Sequence, residues 1–310
     1  VKNSFQYLHP LSKLGIVAFV SLLSLLVSMI IATVISIPFF GTEGISSIVG
    51  STAGVNEENL PFLKFLQIAQ SIGLFIVPSI LVAFLFNQSV SQYLKLDKKP
   101  FLFSIVLAVL IIFISNPIIN FTGELNSKLS LPEGLSKLES WMRSTEESAA
   151  QLTKLFLKTE SIGGLMFNLF MIALIPAIGE EFLFRGVIQR ILSEWTKSNH
   201  LAIWISAILF SALHFQFYGF LPRAILGAMF GYLFVISGNL WLPVIAHFIN
   251  NAAAVVAYYL YGEGILNVDP EKIGIDSKYQ VAVIISAILL ITLYLIFTKY
   301  ETGKKLKTER

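Results

Sequence analysis

Leu165-Met166-Phe167-Asn168-Leu169-Phe170-Met171-Ile172-Ala173-Leu174-Ile175-Pro176-Ala177-Ile178-Gly179-Glu180-Glu181-Phe182-Leu183-Phe184-Arg185-Gly186 is the stretch that decides how this chain is read. Its apolar first part, Leu165–Ile178, runs directly into two adjacent glutamates and then an arginine. At the centre of an inserted helix each charge costs about 2.5–3.5 kcal/mol, so charges persist there where they are paired or serve a function. The stretch therefore reads as a membrane helix with chemistry inside it.

The rest of the chain agrees. Of 310 residues, 55% are hydrophobic and only 13% are charged, where an ordinary soluble domain carries about 25% charged residues. Mean hydropathy is +0.75. These values predict an all-α, polytopic membrane helix bundle, a single integral-membrane domain over residues 1–310. The net charge of +3 is small and no basic block is interleaved with aromatics, which argues against nucleic acid as a partner. With no cysteine, disulfides, thiolate catalysis and cysteine-ligated metals are excluded. The first apolar run, Gly15–Phe40, exceeds the about 7–15 residues of a secretory h-region and reads as a retained anchor.

Runs of about 20 apolar residues mark spans, and the sequence offers about eight. They are Gly15–Phe40, Pro61–Phe86, Phe101–Phe121, Ile162–Arg190, Leu201–Phe217, Arg223–Ser237, Leu240–Leu260 and Val281–Thr298. Gly227 and Gly231 in the sixth suit close approach to a neighbouring helix. A tight turn near Tyr218–Pro222 joins the fifth and sixth. The loop 41–60 has no lysine or arginine but carries Glu43, Glu57 and Glu58, so it reads as outside. Lys95, Lys98 and Lys99 in one loop, and Lys299, Lys304, Lys305, Lys307 and Arg310 in the tail, read as inside. The expectation is a multi-pass protein of the cell membrane with both termini cytoplasmic, and Trp195, Trp204 and Trp241 near the inner boundary.

Between the third and fourth spans, Ser130-Leu131-Pro132-Glu133 has the form of a helix start with Ser130 as N-cap. Leu135, Leu138, Met142, Ala149, Leu152 and Phe156 follow at helical spacing. This predicts one or two amphipathic helices on the outer surface. A helix that caps the bundle is the simpler reading, a lid or substrate guide the alternative.

Within the polar stretch, Pro176 removes a backbone hydrogen bond and kinks the helix about one turn before Glu180. Glu180 and Glu181 point about 100° apart on a helix. Glu181 and Arg185 are spaced for an ion pair in the favourable order, which leaves Glu180 facing the interior as a candidate general base. The bland alternative puts both glutamates at the interface as surface charges. His214 lies one turn after Phe210 on an apolar segment, and His247 and Asn251 share a face on another, with Asn250 turned elsewhere. Each pair alone could be interhelical glue. At about 1.5 Å per residue, the four groups reach similar levels and converge in a cavity in the half of the membrane nearest the lysine-rich loops.

Glu180-Glu181…Arg185, Phe210…His214 and His247…Asn251 resemble, in order, the three signatures of the CPBP family, the CAAX proteases and bacteriocin-processing proteins also called the Abi family. The resemblance covers about residues 163–260, a catalytic core. It implies an intramembrane endopeptidase in which Glu180 activates water with help from His214. His247 and Asn251 would stabilise the oxyanion, and Glu181 and Arg185 would hold the geometry. Family members are often described as metalloproteases, so Glu180, His214 and His247 are also a candidate zinc set. No His-Glu-x-x-His pair preorganises it, and the cofactor is either none or a divalent metal. The partners implied are the bilayer and a membrane-associated peptide or protein substrate, prenylated or not. Two other readings stay open: a transporter or proton relay, which predicts inverted repeats that this sequence lacks, and a non-catalytic binding or immunity protein of the same fold.

Overall fold

The computed structural model describes residues 5–49, 59–87, 89–268 and 280–308, with side chains omitted at 42–49 and 305–308. Glu43, Glu57, Glu58, Lys305, Lys307, Arg310 and most of the loop 261–280 fall outside the described side chains. Among the described residues there is no strand. The main helices are α1 (Pro10–Val49), α2 (Leu60–Phe86), α3 (Leu102–Ser127), α4 (Ser136–Leu157), α5 (Ile162–Thr196), α6 (Asn199–Ala212), α7 (Phe220–Ser237), α8 (Trp241–Gly262) and α9 (Gln280–Thr308).

Seven of these, all but α4 and α6, are long and apolar enough to cross a membrane. The polytopic all-α bundle is thus as expected, but the fifth anticipated span is not full length. Helix α6 has 14 residues, about 21 Å at 1.5 Å per residue, and stops at Ala212. His214 and Phe215 lie in the turn beyond it, where Phe215 has φ 52. Hydropathy alone had run the span through this turn, because the turn is itself apolar. Helices α6 and α7 form an antiparallel hairpin that returns the chain to the end where it entered.

Cross-contacts define two ends of the bundle. At one end Lys13 holds both oxygens of Glu194 at 2.8 Å, Leu240 N–H reaches Lys95 O at 3.1 Å, and Ser104 bonds Glu301. The start of α1 and the end of α9 therefore lie at the same end, with Trp241 Nε1 on Leu96 O. At the other end Asn126 clamps the α6–α7 turn, donating to Phe217 O and accepting from Leu221 N, both 2.8 Å.

Apolar packing divides into two large clusters and a small one of Ile203, Ala207 and Ala228 between α6 and α7. One large cluster joins α1, α2, α5 and α6 through Val17, Phe86, Phe184 and Phe210. The other joins α3, α7, α8 and α9 through Ile111, Leu233, Phe230, Leu242 and Phe297. The outer faces are apolar too, with Phe19, Leu22 and Leu26 of α1 and Ile284, Ile288 and Leu295 of α9 exposed. Buried polar residues inside exposed apolar ones is the arrangement a hydrocarbon solvent requires.

Helix α4 begins later than expected. Ser130 is not its cap: a 3₁₀ turn, Glu133–Leu135, comes first, and Leu131 N–H donates to Glu139 Oε2 at 2.9 Å. Arg143 holds the same carboxylate at 2.7 Å, so Glu139 ties the segment before the helix to its first turn, with no side chain capping the helix itself.

Candidate active site

Helix α5 is not a uniform α-helix. Two wide π turns, Leu169–Leu174 and Phe182–Ile188, flank the α-helical segment Ile175–Glu181. Such insertions cluster at functional positions because they re-aim side chains without breaking the helix. Pro176 has no N–H to give to Ile172 O, its partner one turn back. That carbonyl is taken by Asn251 Nδ2 of α8 at 3.3 Å. The proline thus creates the acceptor that ties one candidate site residue to the helix carrying the glutamates.

Glu181 and Arg185 pair at 2.7 Å, with side-chain exposures of 0% and 1%. Arg185 Nη2 also donates to Gly227 O at 2.9 Å. The guanidinium lies between aromatic rings from the two large apolar clusters, 4.7 Å from the Phe210 centroid and 5.4 Å from that of Phe230. These π faces partly replace the water it has lost. Gly227 permits close approach here: a Cβ would sit 3.2 Å from Arg185 Nη2, Phe210 Cδ1 and Ala207 Cβ alike. At Gly231 a Cβ would come within 2.9 Å of Ile203 Cγ2, so the glycines of α7 do serve close approach.

His247 Nδ1 lies 2.9 Å from Glu181 Oε1. A carboxylate between two cationic or N–H groups only accepts, so Nδ1 carries the proton and Nε2 faces Glu180 Oε2 at 3.7 Å. Phe230 stacks on the imidazole at 4.9 Å and Phe210 meets it edge-on at 6.1 Å. His214 is fixed differently. Its Nδ1 donates to Phe210 O at 2.8 Å, which leaves Nε2 as the free acceptor in the neutral ring. Phe210 therefore positions His214 by its carbonyl and packs against His214, His247, Phe184 and Arg185 by its ring.

Glu180, His214, His247 and Asn251 all line one cavity of about 630 Å³. Two expectations change here. Asn250 was assigned to another face, yet it lines the same cavity and donates to Asn251 Oδ1 at 3.2 Å. The cavity is wide enough to take in neighbouring residues about 100° apart on a helix. The cavity also does not run toward the lysine-rich loops. It extends from mid-bundle to the opposite end, because His214 sits in the turn below α6 and α4 forms part of the wall through Ala149, Leu152, Thr153 and Phe156. Helix α4 is pinned to that turn: Glu146 Oε2 accepts from Tyr218 N at 2.9 Å, and Trp141 packs on Phe217 at 5.4 Å. It is a cavity wall as well as a cap.

Arg223 was read only as the start of a span. Its guanidinium lies on the cavity wall, bonded to the Gln216 side chain. A charge inside an apolar segment is the signal that singled out Glu180, and it applies equally here.

The candidate zinc set does not fit as placed. Among the described residues no three His, Asp or Glu side chains come close enough together to share a metal ion. Glu180, His214 and His247 face a common space rather than a common point.

The fold and site thus define a polytopic helical membrane protein with a carboxylate–histidine cluster facing an internal cavity. Residues 162–253 match the family model described as type II CAAX prenyl endopeptidase Rce1-like. All three signatures lie inside the matched segment, so the resemblance drawn from them holds there. The Uncharacterized protein YpbD of Bacillus subtilis (strain 168) is 32% identical over 89 residues, 27% of this chain and 42% of that protein. The chain therefore spans less than half the length of that relative. No solved structure matches.

Proposed function

We propose that this protein is an intramembrane endopeptidase that hydrolyses a peptide bond of a membrane-associated substrate with a glutamate-activated water. The observation that carries the reading is the convergence of Glu180, His214, His247 and Asn251 on one cavity. Glu180 takes a proton from water, whose oxygen attacks the substrate carbonyl carbon; the proton then goes to the departing amine. The free Nε2 of His214 accepts a hydrogen bond from that water. The oxyanion is met by the remaining N–H of Asn251 Nδ2 and by Nε2–H of His247 in its protonated form. Losing one such donor typically lowers the rate by about 10²–10³. Glu181 and Arg185 keep His247 in its orientation.

The lysine distribution supports an orientation with the end bearing Lys13, Lys95 and Lys304 on the cytoplasmic side and both termini there. In that orientation the cavity extends toward the outer side, where α4 forms part of its wall. A substrate exposed on the outer side then reaches Glu180 directly, whereas a cytoplasmic prenylated peptide requires the reverse orientation.

The test is purified, lipid-reconstituted protein assayed against prenylated and unprenylated peptides, with Glu180→Gln as control and with exhaustive chelation as a second arm. Cleavage that survives chelation and is lost in Glu180→Gln supports the mechanism. A variant that cleaves at near the original rate overturns it.

A further inference from the structure

At the far end of the bundle from this cavity lies a second one of about 270 Å³, between the α2–α3 connection and the ends of α5, α6 and α7. Lys95 and Arg190 supply its charge, Gln189, Ser193 and Asn199 its neutral polar groups, and Phe234 an apolar wall. Ser193 and Asn199 bond each other at 2.6 Å.

Neither cation forms a close ion pair among the described residues, although Glu194 lies near enough to Arg190 to interact with it electrostatically. Glu194 is spaced to pair with Arg190, but Lys13 holds both its oxygens at 2.8 Å. Arg190 rests on the Tyr93 ring, 4.4 Å from its centroid. Its N–H groups find no acceptor among the described residues, and Nη1 is buried. Lys95 is fixed in a left-handed conformation, φ 58, which a lysine adopts only when its surroundings impose it. Its carbonyl holds the start of α8 through Leu240 N–H at 3.1 Å. Asp97, two residues on, forms no ion pair with either cation. Two cations outside any close ion pair, one a guanidinium fork, on a pocket this small suit a phosphate group.

Position says where the phosphate comes from. The same end carries Lys98, Lys99 and Lys304 and the indole of Trp241, the composition of a membrane–water boundary. Basic pockets between helices at that level take lipid headgroups. We infer that the Lys95–Arg190 pocket binds the phosphate of an anionic phospholipid headgroup.

Native mass spectrometry of the purified full chain tests this with phosphatidylglycerol, phosphatidylcholine and inorganic phosphate as probes. The unaltered protein retains phosphatidylglycerol over phosphatidylcholine by about tenfold, as charge-assisted contacts to an anion imply. Lys95→Gln with Arg190→Gln abolishes that preference, while Lys98→Gln with Lys99→Gln, which removes the same charge from the same end outside the pocket, keeps it. Lys95→Gln alone, at an exposed side chain, weakens retention even if the double variant fails to fold. Equal retention by Lys95→Gln and the unaltered protein overturns the proposal. Displacement of the lipid by low-millimolar inorganic phosphate overturns the lipid as the source.

Discussion

His247 turns its Nδ1 to Glu181 at 2.9 Å and only its second nitrogen toward Glu180, 3.7 Å away. The two adjacent glutamates are thereby separated in role by one imidazole. Glu181 Oε1 receives both His247 and Arg185, so it is the joint between α5 and α8, while Glu180 remains at the cavity.

Removing either carboxylate should therefore have a different signature. Glu180→Gln keeps the fold and its thermal midpoint but abolishes cleavage. Glu181→Ala leaves Arg185 buried without its anion, a change that costs about 3–5 kcal/mol when one partner of a buried pair is lost. Thermal unfolding in detergent, run beside the peptide assay, separates the two; a Glu181→Ala protein as stable as the original contradicts the joint.

Pro176→Ala restores an N–H that competes with Asn251 for Ile172 O. The expected outcome is a protein at least as stable but slower, because Asn251 loses the contact that aims it. Cleavage rates and thermal midpoints measured together check this, and an unchanged rate would show that Asn251 does not depend on the freed carbonyl.

Gly227→Ala pushes a methyl to within 3.2 Å of Arg185, Phe210 and Ala207 together. Overpacking of this sort costs about 1–3 kcal/mol. A lower thermal midpoint together with lower activity is expected, whereas Gly262→Ala, where a Cβ meets nothing within 4 Å, changes neither.

A chain without native cysteine permits clean single-cysteine mapping. Ser144→Cys on α4 should react with a membrane-impermeant maleimide in intact cells, and Lys98→Cys only after permeabilisation. The reverse pattern would invert the bundle and bring the cavity to the cytoplasmic side.

Acid should loosen the start of α4. Arg143, and then Leu131 N–H, hold the Glu139 carboxyl below its ordinary 4.5. A depressed folded value means the contribution is complete above the unfolded value and is lost as pH falls through the folded one. Hydrogen exchange at Leu131 and Leu135, relative to its intrinsic rate, should accelerate as pH falls through that lowered folded value, and Glu139→Gln should remove the pH dependence.

Much of this was legible in the sequence because hydrocarbon is an unforgiving solvent. The spans, the ion pair between Glu181 and Arg185 and the glycine contacts of α7 follow from local spacing and the cost of stray charge. The end of α6, the start of α4 and the place of Asn250 were not legible. An apolar turn has the same hydropathy as an apolar helix, a carboxylate can hold the segment before a helix from eight residues away, and cavity width is not encoded in periodicity.

The sequence by itself determined that this is a helical membrane bundle whose polar residues, Glu180, Glu181, Arg185, His214, His247 and Asn251, are too costly to be incidental. Only the tertiary structure decided how they combine: which nitrogen of His247 meets which glutamate, which carbonyl Asn251 takes, and toward which end the cavity runs. Burial penalties act residue by residue and can be read along a chain, but hydrogen-bond partners from different helices are set by packing. The opening pair of glutamates is a sequence fact; the division of labour between them belongs to the imidazole that α8 places between them.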